Sequence, residues 1–302
     1  MSQPALRFER VSRSFGRRVA LRELDLLLPP GRILGLIGRN GAGKTTALRL
    51  AQGQLHPDQG TIRVLGLDPA THGLEVRRKV AILSEESALY PWMTVKEILG
   101  FAGSLHPGWD ASLAEGLVKR LELDPAPRIK SLSRGTKAKV SLVLAVACRP
   151  GLLLLDDPTA GLDPLVRREV LQGVLESVSE GGGAVVYASH LIQDVERVAD
   201  NVAFLDDGKV VLDGTLEDVK ARVRQATAVF DDGAPSTLKL EGQIDLQTDG
   251  RVLTVVAETT NGGLDRALRE AGARDVQVRP LSLEEILVAC LRRGGTREAG
   301  HV

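Results

Sequence analysis

The stretch "ILGLIGRNGAGKTTALRLAQG" constrains this chain more than any other. An apolar run, Ile33 to Ile37, feeds a glycine-rich turn, and the turn opens into residues that favour a helix. Within it "GRNGAGKT", Gly38 to Thr45, fits the pattern G-x-x-x-x-G-K-[ST]. Glycines at these positions let backbone N–H groups turn inward around phosphate oxygens, and the following helix aims its positive end at the same charge. Gly38, Asn40, Gly41, Ala42, Gly43, Lys44, Thr45 and Thr46 are therefore the candidates for holding a nucleotide. Lys44 would reach the β- and γ-phosphates and the Thr45 hydroxyl would ligate Mg²⁺. The competing reading, a strand-to-helix turn that binds nothing, has to explain why strand, lysine and hydroxyl occur together.

The surrounding rhythm fits such a loop. From Leu6 to about Arg222 short apolar runs alternate with helical periodicity: "GRILGLIG", a helix from Lys44, "VAILS", a mainly helical stretch, "GLLLLD", a helix after Pro164, "GAVVYAS" and "VAFLD". This is the pattern of an α/β fold with a largely parallel core sheet. Two insertions modify it. "LRFERVSRSF" and "ALRELDLLLPPG" read as antiparallel strands stopped by Pro29 and Pro30, and Thr94 to Cys148 reads as a run of helices opened by the capping box "TVKE". After "LEDVKARVRQ" the character changes to short strands ("ATAVF", "RVLTVVAE", "DVQVR") with helices at about Leu264–Ala271 and Leu283–Leu291. The expected organisation is a nucleotide-binding domain over 1–222 with a helical subdomain at about 85–150, a small α+β domain over 223–292 and a tail over 293–302.

Bulk properties exclude several classes. With 302 residues, 43% hydrophobic and 26% charged, the chain suits two soluble domains with sizeable cores. Thirty-nine basic residues balance thirty-nine acidic ones, so no global field points to nucleic acid as a partner. The start "MSQPALRFERVSRSF" lacks the apolar core of a secretory signal, and no apolar run reaches membrane-spanning length. A cytoplasmic chain is expected. Cys148 and Cys290 each sit in an apolar helical pattern and read as buried thiols.

The run Leu152 to Leu155 ends in two adjacent aspartates, Asp156 and Asp157. As a buried strand beside the phosphate loop, it would place Asp156 at its carboxyl end, where ligands of open α/β sheets collect. There Asp156 could hold the Mg²⁺ shell; the alternative is a loop aspartate that caps a helix.

Three more stretches narrow the reading. "SLSRGTKAKVSLVLAVACRP" precedes the Leu152 strand, "DPTAGLDP" follows it, and "VVYASH" comes one helix later. In this order the chain, over about Leu6 to Arg222, resembles the nucleotide-binding subunit of an ABC transporter. "PLSLEEILVA" near the C-terminus resembles the accessory domain of ATPases serving bacterial ABC-2 type exporters. The resemblance implies a P-loop fold of ABC type with an antiparallel β subdomain and a helical subdomain. It also implies two ATP molecules sandwiched between two subunits, the signature of one facing the phosphate loop of the other. By position, Phe15 would stack on adenine, Glu85 would lie in the loop touching both the Mg²⁺ site and the membrane partner, Asp157 would position the attacking water, and His190 would stand beside the γ-phosphate. Ser133 and Gly135, in the signature "LSRGT", would bind γ-phosphate across the dimer, with Asp163 also among the nucleotide-contacting positions. The implied partners are a transmembrane permease, which would hold the protein at the inner face of the membrane, and a second copy or a paralogue. Tyr90, Pro91 and Trp92 are candidates to line the permease groove or to anchor the helical subdomain.

Three positions depart from the family pattern. Asp157 stands where glutamate is usual, and a carboxylate retracted by one methylene reaches its water less well. Glu85 replaces glutamine and adds negative charge near Mg²⁺ and γ-phosphate. Arg134 puts a cation in the signature, either to hold ATP or to face solvent. The expectation is an ATP-binding, ATP-hydrolysing subunit that dimerises and drives an exporter permease, with slow hydrolysis. The alternatives are an ATP-dependent sensing clamp on a membrane partner and a soluble ABC protein of translation, repair or chromosome organisation. The C-terminal domain could bind a ligand, mediate dimerisation or brace the ATPase domain.

Overall fold

Strands buried on one face alternate in polarity, and β1 (Leu6–Phe15) and β2 (Arg18–Leu28) do so, turning through Gly16 at φ 58°. The computed structural model describes residues 3–84, 89–235, 238–259 and 263–295. The chain continues into β3 (Ile33–Ile37), α1 (Lys44–Ala51) and β4 (Gln59–Val64). β1 pairs antiparallel with β2, from Leu6↔Leu28 to Phe15↔Arg18, and antiparallel with β4, giving a three-stranded sheet in the order β2-β1-β4.

α2 (Gly73–Lys79) leads to β5 (Val80–Ser84), and β6 (Leu152–Asp156) follows only after a helical insertion. That insertion comprises α3 (Val95–Leu105), α4 (Ala111–Arg120), a 3-10 turn at Ile129–Ser131 and α5 (Arg134–Ala147). The capping box forms: Glu97 N donates to Thr94 Oγ1 at 3.1 Å and Thr94 N donates to Glu97 Oε2 at 2.7 Å. Tyr90 and Trp92 do not enter the subdomain core. Trp92 is 63% exposed, its ring centroid 5.2 Å from that of Tyr90.

α6 (Pro164–Gly181), β7 (Ala184–Ser189), α7 (Ile192–Val198), β8 (Asn201–Asp206) and β9 (Lys209–Thr215) complete a six-stranded sheet in the order β5-β6-β7-β3-β8-β9. The neighbours from β5 to β8 run parallel. Parallel strands are covered on both faces and read as unbroken apolar runs, which is why β3 and β7 are buried throughout. Gly35, mid-β3, lets α7 approach closely: a Cβ there would lie 2.1 Å from Val195 Cγ1. The register sets Ile37 beside Ser189, and Asp156 beside both Ser84 and Ala188. The carboxyl ends of β3, β5, β6 and β7 thus open at one edge.

Packing divides the chain into two units, residues 1–210 and 211–302, with the division inside β9 and before the expected limit at 222. The second unit holds α8 (Leu216–Arg222), β10 (Val223–Val229), β11 (Gln243–Asp249), β12 (Val252–Glu258), α9 (Gly263–Glu270), β13 (Asp275–Pro280) and α10 (Leu283–Gly295). Its antiparallel sheet has the order β11-β12-β10-β13, with a core that includes Ala226, Leu253, Val255, Leu264 and Leu268. α10 runs to Gly295, into the segment expected as tail; the residues after it lie outside those described.

Candidate nucleotide site

The turn between β3 and α1 takes its shape from its glycines. Gly41 and Gly43 have φ 85° and 112°, left-handed values that cost a side chain dearly. Gly38 is required for a different reason: a Cβ there would lie 2.4 Å from the Leu205 carbonyl oxygen. Gly43 stands at the N-cap of α1 with no side chain capping the helix, so its first N–H groups are left for another acceptor. Lys44, 5% exposed, folds back on the loop and donates from Nζ to the carbonyls of Gly38 at 2.7 Å and Arg39 at 3.2 Å. Burial lowers its pKa, while the charges of Asp157 and Asp156 act in the opposite sense. Ala42 is buried, Thr46 half-buried, and Asn40 and Thr45 exposed.

Asp156, last residue of β6, is hydrogen-bonded by the Thr45 side chain. Burial raises its pKa; the Thr45 bond opposes that, the Asp157 charge adds to it, and Lys44 and Arg49 lower it. A carboxylate and a hydroxyl are hard oxygen donors, the set that suits Mg²⁺, an ion bound through one or two carboxylates with phosphates and waters supplying the rest. Thr45 and Asp156 fit that ion. Glu85, the third expected ligand, lies outside the described residues.

Asp157 leaves the strand with φ 46°, a left-handed conformation that aspartate tolerates better than most residues. Its N–H donates to Ala188 O at 2.9 Å, which turns the carboxylate toward the end of β7. There Oδ1 lies 3.0 Å from Ser189 Oγ, which donates to it, 3.2 Å from His190 N and 2.8 Å from His190 Nδ1. Ser189 Oγ also accepts from Leu191 N at 3.0 Å, so its single proton is committed to Asp157. Ser189 is buried and its contribution was not expected from the sequence; a hydroxyl closing an apolar strand just before His190 was the available signal.

The turn from Asp157 to Asp163 rests on a buried polar knot. Thr159 Oγ1 donates to Asp194 Oδ2 at 2.5 Å and lies 3.1 Å from the Tyr187 hydroxyl, while Arg167 Nε stands 3.8 Å from the same Asp194 oxygen. Thr159, Tyr187 and Asp194 are almost wholly shielded from solvent. None of them stood out in the sequence, since Thr159 and Asp194 are 35 residues apart. Asp163 caps α6, accepting from the N–H groups of Leu165 and Val166 at 3.1 Å each.

The remaining candidates make other contacts. Ser133 caps α5 by accepting from Thr136 N at 3.1 Å, and Gly135 sits close to α6, where a Cβ would lie 3.3 Å from Val166 Cγ2. Among the described residues, no hydrogen bond joins Ser133 or Gly135 to the phosphate loop. Phe15, 45% exposed, ends β1. The structure therefore brings together Lys44, Thr45, Asp156, Asp157 and His190: a seat for an anion, a pair of oxygen donors for a cation, and a hydrogen-bonded carboxylate–imidazole pair able to orient a water.

Residues 21–160 match the ABC transporter family. The chain is 30% identical over 292 residues to the ABC transporter ATP-binding protein YtrB of Bacillus subtilis, covering 97% of this chain and 99% of that one. It is 31% identical over 309 residues to the daunorubicin resistance ATP-binding protein DrrA3 of Streptomyces coeruleorubidus, covering 95% and 96%. A solved ATP-binding subunit of an ABC transporter superimposes with TM-score 0.65 at 30% identity, over 72% of this chain and 92% of that one. Full-length relatives at this identity and a shared fold leave one conclusion: the chain belongs to the ATP-binding subunits of ABC transporters, and is an ATPase.

Proposed function

We propose that the protein is the motor of a bacterial exporter, binding Mg²⁺-ATP at the phosphate loop and closing with a second copy, or a paralogue, around two nucleotides. The observation that carries this reading is the Asp157–His190 contact beside the Thr45–Asp156 pair, at the edge where the phosphate loop opens. Lys44, now bonded to two loop carbonyls, exchanges them for phosphate oxygens when nucleotide enters. Mg²⁺, when bound, neutralises charge on the β- and γ-phosphates. Asp157 accepts the proton of the attacking water, and His190 holds that carboxylate and faces the γ-phosphate. Glu85 reports on the metal site to the permease. Phe15 stacks on adenine, Ser133 and Gly135 complete the partner subunit's site from across the dimer, and Asp163 is a further nucleotide contact.

In this reading residues 1–222 are the ATPase domain, with the helical subdomain at 85–150, and residues 223–292 an accessory domain that braces or dimerises it. Among the described residues no helix is long and apolar enough to cross a membrane. The family resemblance supports a cytoplasmic protein, peripheral on the inner face of the membrane and held there by a separate permease. The exposed Tyr90–Trp92 pair suits that contact, since clustered exposed aromatics mark protein interfaces. The export direction rests on DrrA3, a relative named for daunorubicin resistance whose match runs through the accessory region.

Asp157→Asn keeps the shape of the side chain and removes the base. Size measurement with Mg²⁺-ATP should show this variant held as a dimer with turnover abolished. A variant that hydrolyses at the natural rate overturns the reading, and one that stays monomeric at saturating ATP overturns the second copy as the partner in favour of a paralogue. The short Asp157 side chain favours one second reading, a slow sensing clamp; natural protein that is already trapped as an ATP-bound dimer would establish it.

A further inference from the structure

Two arginines of the β1–β2 hairpin, Arg13 and Arg18, neighbour Phe15 and play no part in the site described above. Arg18 is the cross-strand partner of Phe15. Ala20, on the same face of β2 two residues on, has its carbonyl oxygen 2.6 Å from where a Gly43 Cβ would stand, so the strand runs along the phosphate loop. This places Arg18 Nη2 3.1 Å from the position of a Cβ on Gly41. Arg18 is exposed, and among the described residues no carboxylate pairs with it. An unneutralised guanidinium is thus held against the outer side of the loop, while Lys44 lies within it.

Arg13 packs on the Phe15 ring. Its guanidinium carbon lies 5.0 Å from the ring centroid, within cation–π range. Asp58 fixes this arrangement with both oxygens, accepting from Arg13 Nη1 at 2.7 Å and from Ser14 N at 2.7 Å. The Phe15 ring is therefore backed by a pinned cation and keeps open surface for a second planar group. A cation on one face draws π-density toward itself, which makes the opposite face a better seat for an electron-rich purine.

We propose that Arg18 binds the polyphosphate of the nucleotide directly, from the hairpin side of the loop, and that Arg13 is a positioning residue which sets the Phe15 ring for the base. This rests on the phosphate-loop reading above.

The two roles separate by ligand. Equilibrium binding of ATP, ADP and inorganic tripolyphosphate is measured on the full chain and on Arg13→Ala, Arg13→Lys, Arg18→Ala, Arg18→Lys and Lys44→Ala. Arg18→Ala weakens ATP and tripolyphosphate alike, by about tenfold, the loss shrinking as salt is raised, and Arg18→Lys recovers part of it. Arg13→Ala weakens ATP and ADP by roughly threefold and leaves tripolyphosphate unchanged. Arg13→Lys keeps the Asp58 pair but loses the planar stack, so it shows the same base-dependent loss without loosening the hairpin. Equal losses for all three ligands on changing Arg13 overturn its positioning role, and unchanged binding in Arg18→Ala beside a large loss in Lys44→Ala overturns the role of Arg18. Unchanged binding in Lys44→Ala refutes the phosphate-loop reading itself, and the proposal with it.

Discussion

Replacing Asp157 by glutamate tests the proposed base, whose side chain is one methylene shorter than the glutamate that the family resemblance implies. The natural carboxylate is drawn toward β7 by Ser189 and His190, three donors meeting one oxygen. Glutamate adds one carbon–carbon bond, which advances an extended carboxylate by about 1.3 Å toward the nucleotide side. Misplacement of a base by about 1 Å costs about 10²-fold in rate, or roughly 2.7 kcal/mol of barrier. Asp157→Glu should therefore raise turnover at saturating Mg²⁺-ATP by about 10- to 100-fold while KM for ATP stays within about twofold, because the Asp157 side chain is hydrogen-bonded to Ser189 and His190 rather than to the loop. The same change should cost stability. At φ 46° glutamate is less comfortable than aspartate, and an advanced carboxylate gives up at least one charge-assisted bond near β7, together about 1–2 kcal/mol in denaturant unfolding. Steady-state phosphate release and urea unfolding on the same preparations read both effects. Unchanged or slower turnover, with ATP binding and fold intact, would show that the short side chain already reaches its water and that the reasoning about length is wrong.

Other perturbations test the scaffold around the site. Asp194→Ala leaves the Thr159 hydroxyl without its acceptor and Arg167 without its counter-charge, and should lower unfolding free energy by about 2–4 kcal/mol at unchanged m-value. Gly35→Ala drives a methyl into Val195 on α7 and should cost about 1–3 kcal/mol, with Val195→Ala in the same chain recovering most of it. Glu285 is held down to about 2 by hydrogen bonds from Arg279 first and then from the Ser282 N–H and hydroxyl. Since the folded pKa lies below the unfolded value, its stabilising contribution is complete above about pH 4.5 and lost as pH falls toward 2. A carboxyl NMR titration should place the Glu285 midpoint near that value and move it upward in Arg279→Ala.

What the sequence discloses depends on how far apart the partners are. The phosphate loop is legible because strand, glycines, lysine and helix are contiguous, and the buried strands β3, β6 and β7 are legible because a parallel core demands unbroken apolar runs. β4, "QGTIRV", and β11, "QIDLQTD", escaped notice because each lies at a sheet edge with few buried residues and so lacks a clear apolar face. β9 was hidden for a similar reason, its pattern broken by Asp213 and Gly214 after the Asp207–Gly208 turn. The knot of Thr159, Tyr187 and Asp194 belongs to another class: each residue alone is an ordinary polar or aromatic one, and only the packing of α7 against β7 makes them a unit.

The adjacent aspartates show how backbone conformation divides two identical side chains. Along a regular strand, successive residues point to opposite faces, so Asp156 and Asp157 would be separated by the sheet itself. Asp156 instead closes β6 and meets Thr45, whereas Asp157 turns out of the strand at φ 46° and is captured by Ser189 and His190. Both carboxylates stay at the carboxyl edge, one in a buried setting that raises its pKa and favours a neutralising cation, the other among hydrogen-bond donors that fix its direction. Two like charges this close repel, and Lys44 lies near enough to both to offset the repulsion. In the proposed reading Lys44 would turn to phosphate and that compensation would weaken, and Asp156 and Thr45 are the residues that would then hold a divalent cation to replace it. The coupling of nucleotide to metal then follows from three charges sharing one sheet edge.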